Sequence, residues 1–98
     1  MTDTVPGDRL EVVFLTAPDC RHCEHGRAVL AQLAARVPLS VREVDLLSEE
    51  GRRLVAVGRV AFPPALFVGD RVIAHGRLSL GALERDLAPL VPAPSTKD

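Results

Sequence analysis

Apolar residues along the chain change period several times, and each change marks an element. Val12-Val13-Phe14-Leu15 is an unbroken apolar run, which predicts a buried strand over Leu10 to Leu15. From Arg21 to Arg36 the period lengthens. Val29, Leu30, Leu33, Ala34 and Val37 recur at helical spacing, and Pro38 ends the pattern. Leu39 to Leu46, with β-branched Val41 and Val44, predicts a second strand. A strand, a helix of this length and another strand make a right-handed parallel crossover.

Ser48 before Glu49 and Glu50 predicts a capped second helix with acids in its first turn. Leu54, Val55 and Val57 supply its apolar side, and Gly58 its C-terminal cap. Pro63-Pro64 then precedes Ala65-Leu66-Phe67-Val68. Gly69-Asp70 marks a tight turn, and Arg71-Val72-Ile73-Ala74 pairs back as a hairpin. Ser79 caps a last helix through Leu80, Leu83 and Leu87, and Pro89, Pro92 and Pro94 stop it. The expected order is βαβαββα, an α/β fold with a central four-stranded mixed sheet flanked by helices. Residues 1–8 read as a flexible N-terminus, 9–90 as one domain and 91–98 as a disordered tail.

Composition narrows the function classes. A chain of 98 residues, 47% hydrophobic and 26% charged, is sized and balanced for one modest core. A net charge of −1 supplies no field to recruit nucleic acid or an anionic membrane. Three Phe without Tyr or Trp make a poor base-stacking surface. No apolar run approaches the roughly 20 residues of a membrane span. The first eight residues lack a basic region and an apolar core, so no secretory signal is expected and the chain reads as cytoplasmic. Two cysteines in a reducing compartment point to redox or metal chemistry rather than structural stapling.

Those cysteines lie three positions apart, in Cys20-Arg21-His22-Cys23, at the junction of the first strand and helix. Residues i and i+3 of a helix have Cα atoms roughly 5 Å apart, inside the window of about 4.4–6.8 Å that a disulfide tolerates. Cys20 at the helix N-terminus is placed where free N–H groups and the macrodipole favour a thiolate. Cys23 shares a stripe with Gly26, Leu30, Leu33 and Val37 and leans toward the core. Cys20 is therefore the expected attacking sulfur and Cys23 the shielded, resolving one. His22 as an imidazolium would favour the Cys20 thiolate, and Arg21 adds positive potential, while Asp19 opposes both.

Three separated segments resemble the thioredoxin superfamily at glutaredoxin size. They are Cys20-Arg21-His22-Cys23 after a strand, Pro64-Ala65-Leu66-Phe67-Val68-Gly69, and Gly76-Arg77-Leu78-Ser79-Leu80-Gly81-Ala82-Leu83. The resemblance covers roughly residues 9–88. It implies a thioredoxin-like fold and a thiol–disulfide oxidoreductase whose redox-active Cys20–Cys23 disulfide is its only working group, with no separate cofactor. It implies a cis proline facing the cysteines, within a substrate-binding segment of Phe62, Pro63 and Pro64. The hairpin spacing favours Pro64 as the cis residue, while counting from Gly58 points to Pro63. It further implies a protein or small-molecule disulfide as substrate, and a thioredoxin reductase-like protein or a low-molecular-weight thiol as electron donor.

The chain departs from both branches of that superfamily. Asp19 stands where many glutaredoxins carry a basic residue, and His75-Gly76 replaces a Gly-Gly pair. Pro63 has no N–H to offer a glutathione-like cysteine, so weak glutathione binding is expected. The Trp and Gly-Pro of thioredoxin motifs are absent, and Phe14 occupies the position of their buried acid. Two other classes compete with the redox reading. One is a metal-binding or metal-delivery module using Cys20 and Cys23, with His22 or His25 as a third donor. The other is a redox-silent interaction domain. His25 reads as a surface residue, His75 as a loop residue, and Arg52, Arg53 and Arg59 as a solvated helix face.

Overall fold

The computed structural model describes residues 9–91; the expected loose N-terminus and residues 92–98 of the expected tail lie outside them. The elements are β1 (Leu10–Thr16), α1 (Arg21–Ala34), β2 (Leu39–Asp45), α2 (Glu49–Gly58), β3 (Ala65–Val68), β4 (Arg71–His75) and α3 (Leu80–Leu87). A 3₁₀ turn, Ala88–Leu90, follows α3. The sheet runs β2-β1-β3-β4. β1 and β2 are parallel, with Leu10 opposite Leu39 and Thr16 opposite Asp45. β3 is antiparallel to both β1 and β4. This is the four-stranded mixed sheet with helices on both faces that the sequence predicts, and the architecture is thioredoxin-like.

The central position of β1 explains its unbroken apolar run. Successive side chains on a strand point to opposite faces. Leu10, Val12 and Phe14 pack with Val29, Leu30 and Leu33 of α1 and Leu83 and Leu87 of α3. Leu15 and Val13 face the other way, into a second cluster with Val44, Leu54, Ala65 and Phe67. A strand covered on both faces has no polar side to alternate with.

Capping follows the sequence at three helices. The side chains of Cys20, Ser48 and Ser79 accept the N–H groups of Cys23, Gly51 and Ala82. Some details of boundary and burial differ from expectation. α1 ends at Ala34, ahead of Arg36. Its last turn tightens as Arg36 N–H bonds the Leu33 carbonyl, and Pro38 disfavours helical geometry in the residue before it. The left-handed residue after α2 is Arg59, with φ 53°, rather than Gly58. Gly58 instead serves close approach: a Cβ there would lie 2.6 Å from Val72 Cγ2 and 2.8 Å from Phe67 Cε2. Val57, expected on the apolar side of α2, is 47% exposed. At 3.6 residues per turn it lies about 110° from the centre of the stripe formed by Gly51, Leu54, Val55 and Gly58.

No helix among the described residues is long and apolar enough to cross a membrane.

Candidate functional site

The C-terminal ends of the parallel strands β1 and β2 carry the cysteine pair. After Thr16 the chain turns through Ala17-Pro18-Asp19, with Asp19 in the left-handed region at φ 55°, a conformation Asp tolerates better than most residues. Cys20 then caps α1 in an extended conformation, φ −109° and ψ 109°. Its Sγ accepts the Cys23 N–H at 3.2 Å. Its carbonyl accepts the N–H groups of Cys23 and Glu24 at 3.1 Å each. A sulfur held there receives one of the free donors of the first helical turn.

Cys20 and Cys23 are joined as a disulfide, with Cα atoms 5.1 Å apart. The two sulfurs differ in access. Cys20 is half-buried, whereas Cys23 is 0% exposed. Cys23 is buried because it begins the inward stripe of α1, continued by Gly26, Val29, Leu30 and Leu33. Gly26 sets how deep that stripe sits. A Cβ there would lie 2.5 Å from Phe14 Cζ and 3.2 Å from Leu78 Cδ1, so α1 rests on β1 at a distance only glycine permits.

The proline segment reaches the same end of the sheet. Leu15 of β1 pairs with Ala65 of β3, so continuing the antiparallel register brings Pro64 and Pro63 beside Thr16 and Ala17. The Pro63–Pro64 peptide bond is cis. Pro64 is buried, and its carbonyl accepts the Gly76 N–H at 2.8 Å. Phe62, just before, is 58% exposed. Its ring stacks on His75 with centroids 4.7 Å apart, and its carbonyl pairs with His75 Nε2 at 2.8 Å. His75 is thus the last residue of β4, not a loop residue, and it fastens the proline segment from the hairpin side.

A polar tie lies on the opposite flank. Thr16 is 4% exposed, and its hydroxyl donates to Glu43 Oε2 at 2.9 Å. Arg27 of α1 grips the same carboxylate through Nε at 2.9 Å and one terminal nitrogen at 2.6 Å. The hydrogen bond from Arg27, with help from Thr16 and against partial desolvation, holds the Glu43 carboxyl below the ordinary glutamate range. Glu43 stands directly opposite Phe14 in the parallel register. Thr16, Ala17, Pro18, Arg27, Glu43 and Asp45 line a cleft of about 430 Å³ there. A second, more apolar groove of about 290 Å³ runs between α1 and β2 over Phe14 and includes neither cysteine.

Of the residues singled out in the sequence, the fold gathers Cys20, Cys23, Phe62, Pro63 and Pro64 at one end of the sheet. Arg21 and His22 sit exposed in the first turn of α1 beside Cys20. His25 is exposed, as expected, and its Nε2 pairs with the Leu78 carbonyl at 3.1 Å. No group of three or more His, Cys, Asp or Glu side chains suited to a metal ion gathers among the described residues. Sequence reasoning missed the Thr16–Glu43–Arg27 tie and the anchoring role of His75. Both join residues 13 or more positions apart, and nothing local to either partner signals them.

No family model matches the chain, and no curated protein matches it. Among solved structures it is similar to glutaredoxin 1 from Francisella tularensis complexed with cacodylate. That protein is 18% identical, over 82% of this chain and 94% of its own, with a TM-score of 0.48. The chain itself has a thioredoxin-like fold, with a Cys-x-x-Cys disulfide at the tip of α1 and a cis Pro63–Pro64 peptide at the same end of the sheet.

Proposed function

We propose that the protein is a dithiol–disulfide oxidoreductase. The observation that carries this reading is the asymmetry of the pair: Cys20 Sγ caps α1 and is partly open, while its partner Cys23 is closed to solvent. In the reduced protein the Cys20 thiolate attacks one sulfur of a substrate disulfide. A Cys20–substrate disulfide forms and the other substrate sulfur leaves as a thiolate. Cys23 then loses its proton and attacks Cys20 Sγ, forming the Cys20–Cys23 disulfide and releasing the second substrate thiolate. The substrate gains two electrons and the protein loses two; the Cys23 proton, and the one Cys20 released to solvent on ionising, end on the two product thiolates. Run backward, the same steps oxidise a dithiol substrate.

Helix-cap donation to Cys20 supports its role as nucleophile, because the same N–H can stabilise a thiolate. Burial of Cys23 supports its role as resolving thiol. Arg21, in the first turn of α1 beside Cys20, adds positive potential that favours the thiolate, and His22 would add to it as an imidazolium. The segment of Phe62, Pro63 and Pro64 holds the substrate chain. Electrons come from a thioredoxin reductase-like protein or a low-molecular-weight thiol in the cytoplasm, without an organic cofactor.

Single substitutions test the reading. Reduced protein is mixed with a peptide disulfide, and the products are followed by mass spectrometry. The native chain should reduce the peptide, C20S should not, and C23S should accumulate a mixed disulfide on Cys20. An inert native chain, or equal exchange by C20S, overturns the assignment.

A further inference from the structure

The backbone of Phe62-Pro63-Pro64 offers a substrate very little to hydrogen-bond. Pro63 and Pro64 have no N–H. The Phe62 carbonyl is taken by His75 Nε2 and the Pro64 carbonyl by the Gly76 N–H, each at 2.8 Å. His75 Nε2 faces a carbonyl and so carries the proton. Only the Pro63 carbonyl is left without a donor among the described residues. Recognition of an extended chain normally takes its affinity from main-chain hydrogen bonds and its selectivity from side-chain contacts. Here the first contribution is cut to the Pro63 carbonyl and the Phe62 N–H.

What the segment offers instead is apolar surface. Phe14 and Phe67 are buried at 1% and 0% exposure, whereas Phe62 is 58% exposed. Its ring is not a loose side chain. It is stacked on the His75 ring, and its backbone is tied to the same residue. Gly76 lies nearby: a Cβ built on it would come to 3.6 Å of Phe62 Cε1, ordinary van der Waals contact. The platform is therefore preorganised from the β4 side, next to the Pro63 carbonyl. A residue of extended chain spans about 3.3–3.6 Å, so a substrate cysteine bonded to Cys20 and paired with Pro63 brings a neighbouring side chain onto Phe62.

We propose that the site selects polypeptide disulfides in which the reacting cysteine is flanked by apolar side chains, with Phe62 as the contact surface and His75 as its positioning residue. The inference rests on the oxidoreductase reading and names the substrate class for it. The exchange is the one written above. Glutathione, whose cysteine has no apolar neighbour, gains nothing from Phe62.

The test compares three disulfides under reduction by the native protein. Two are homodimeric peptides of equal length and charge whose cysteine is flanked on both sides by leucine in one and by glycine in the other. The third is oxidised glutathione. Covering about 20–50 Å² of leucine surface against the ring is worth a factor of about two to ten, so kcat/KM should favour the leucine peptide by about that factor over both others. In F62A the ratio of leucine to glycine peptide should fall toward one, and in F62L most of it should return. Equal rates for all three disulfides with the native protein, or a ratio that F62A leaves intact, overturn the proposal while leaving the oxidoreductase reading in place. Reduction of none of the three removes both.

Discussion

Gly26 lies against the ring of Phe14 so closely that a single methyl would reach to 2.5 Å of Cζ. α1 and β1 are held together there at the level of the cysteine stripe. Both residues are buried, and the same methyl would lie 3.2 Å from Leu78 Cδ1. Replacing Gly26 by alanine brings two opposed effects. Helix propensity improves by about 1 kcal/mol, and overpacking of a filled core costs about 1–3 kcal/mol. G26A should therefore be less stable by about 1 kcal/mol in urea denaturation. Because α1 must lift, alkylation of Cys23 in the reduced variant should also become faster. A variant as stable as the native chain would mean that Phe14 has room to move.

The two thiols of the reduced protein should alkylate at very different rates. Cys20 is partly open and Cys23 is not, so modification of Cys23 waits on local opening. Iodoacetamide labelling read by mass spectrometry should find Cys20 modified first, by a factor on the order of ten or more. Equal rates at the two sites would remove the distinction between attacking and resolving sulfur.

Glu43 makes stability depend on pH in one direction. Arg27 holds its folded-state carboxyl below the ordinary range, so the ionised form favours the folded state. That stabilisation is complete above the unfolded value, about 4.3, and is lost as pH falls through the folded value. E43Q should melt below the native chain at neutral pH, and the gap should close in acid. Arg27 and Glu43 are each more than a third exposed, so the gap should be small and should shrink further in high salt. A gap that widens as the pH is lowered would contradict the assignment.

Ser48 fastens the start of α2 on both sides. Its hydroxyl oxygen accepts the Gly51 N–H at 3.0 Å and its proton goes to the Asp45 carbonyl at 2.6 Å. S48A should cost about 1 kcal/mol, and S48T, which keeps both the accepting oxygen and the donated proton, should recover most of it. Denaturation midpoints of the three proteins decide the point.

Much of this site is legible in one dimension. The Cys20–Cys23 spacing, the helix that Cys20 caps and the hairpin after Pro63-Pro64 all come from short-range signals: a motif, a turn pair and helical periodicity. What the sequence hides is set by contacts across the sheet. Gly58 reads as a cap because glycine often is one, but its contacts are with Val72 and Phe67 of the hairpin. Val57 reads as core because it is β-branched and near Leu54, yet a helix of ten residues buries only a narrow stripe. Glu43 reads as an ordinary strand residue until the parallel register sets it opposite Phe14 and within reach of Thr16 and Arg27.

The placement of β1 carries one more implication, for assembly. Its alternate side chains are shared out between the α1–α3 cluster and the α2 cluster, so neither half can close around itself alone. The strand that leads directly into Cys20 is also the common keel of both layers. Damage to it would not dull the redox pair selectively; it would take the whole molecule apart.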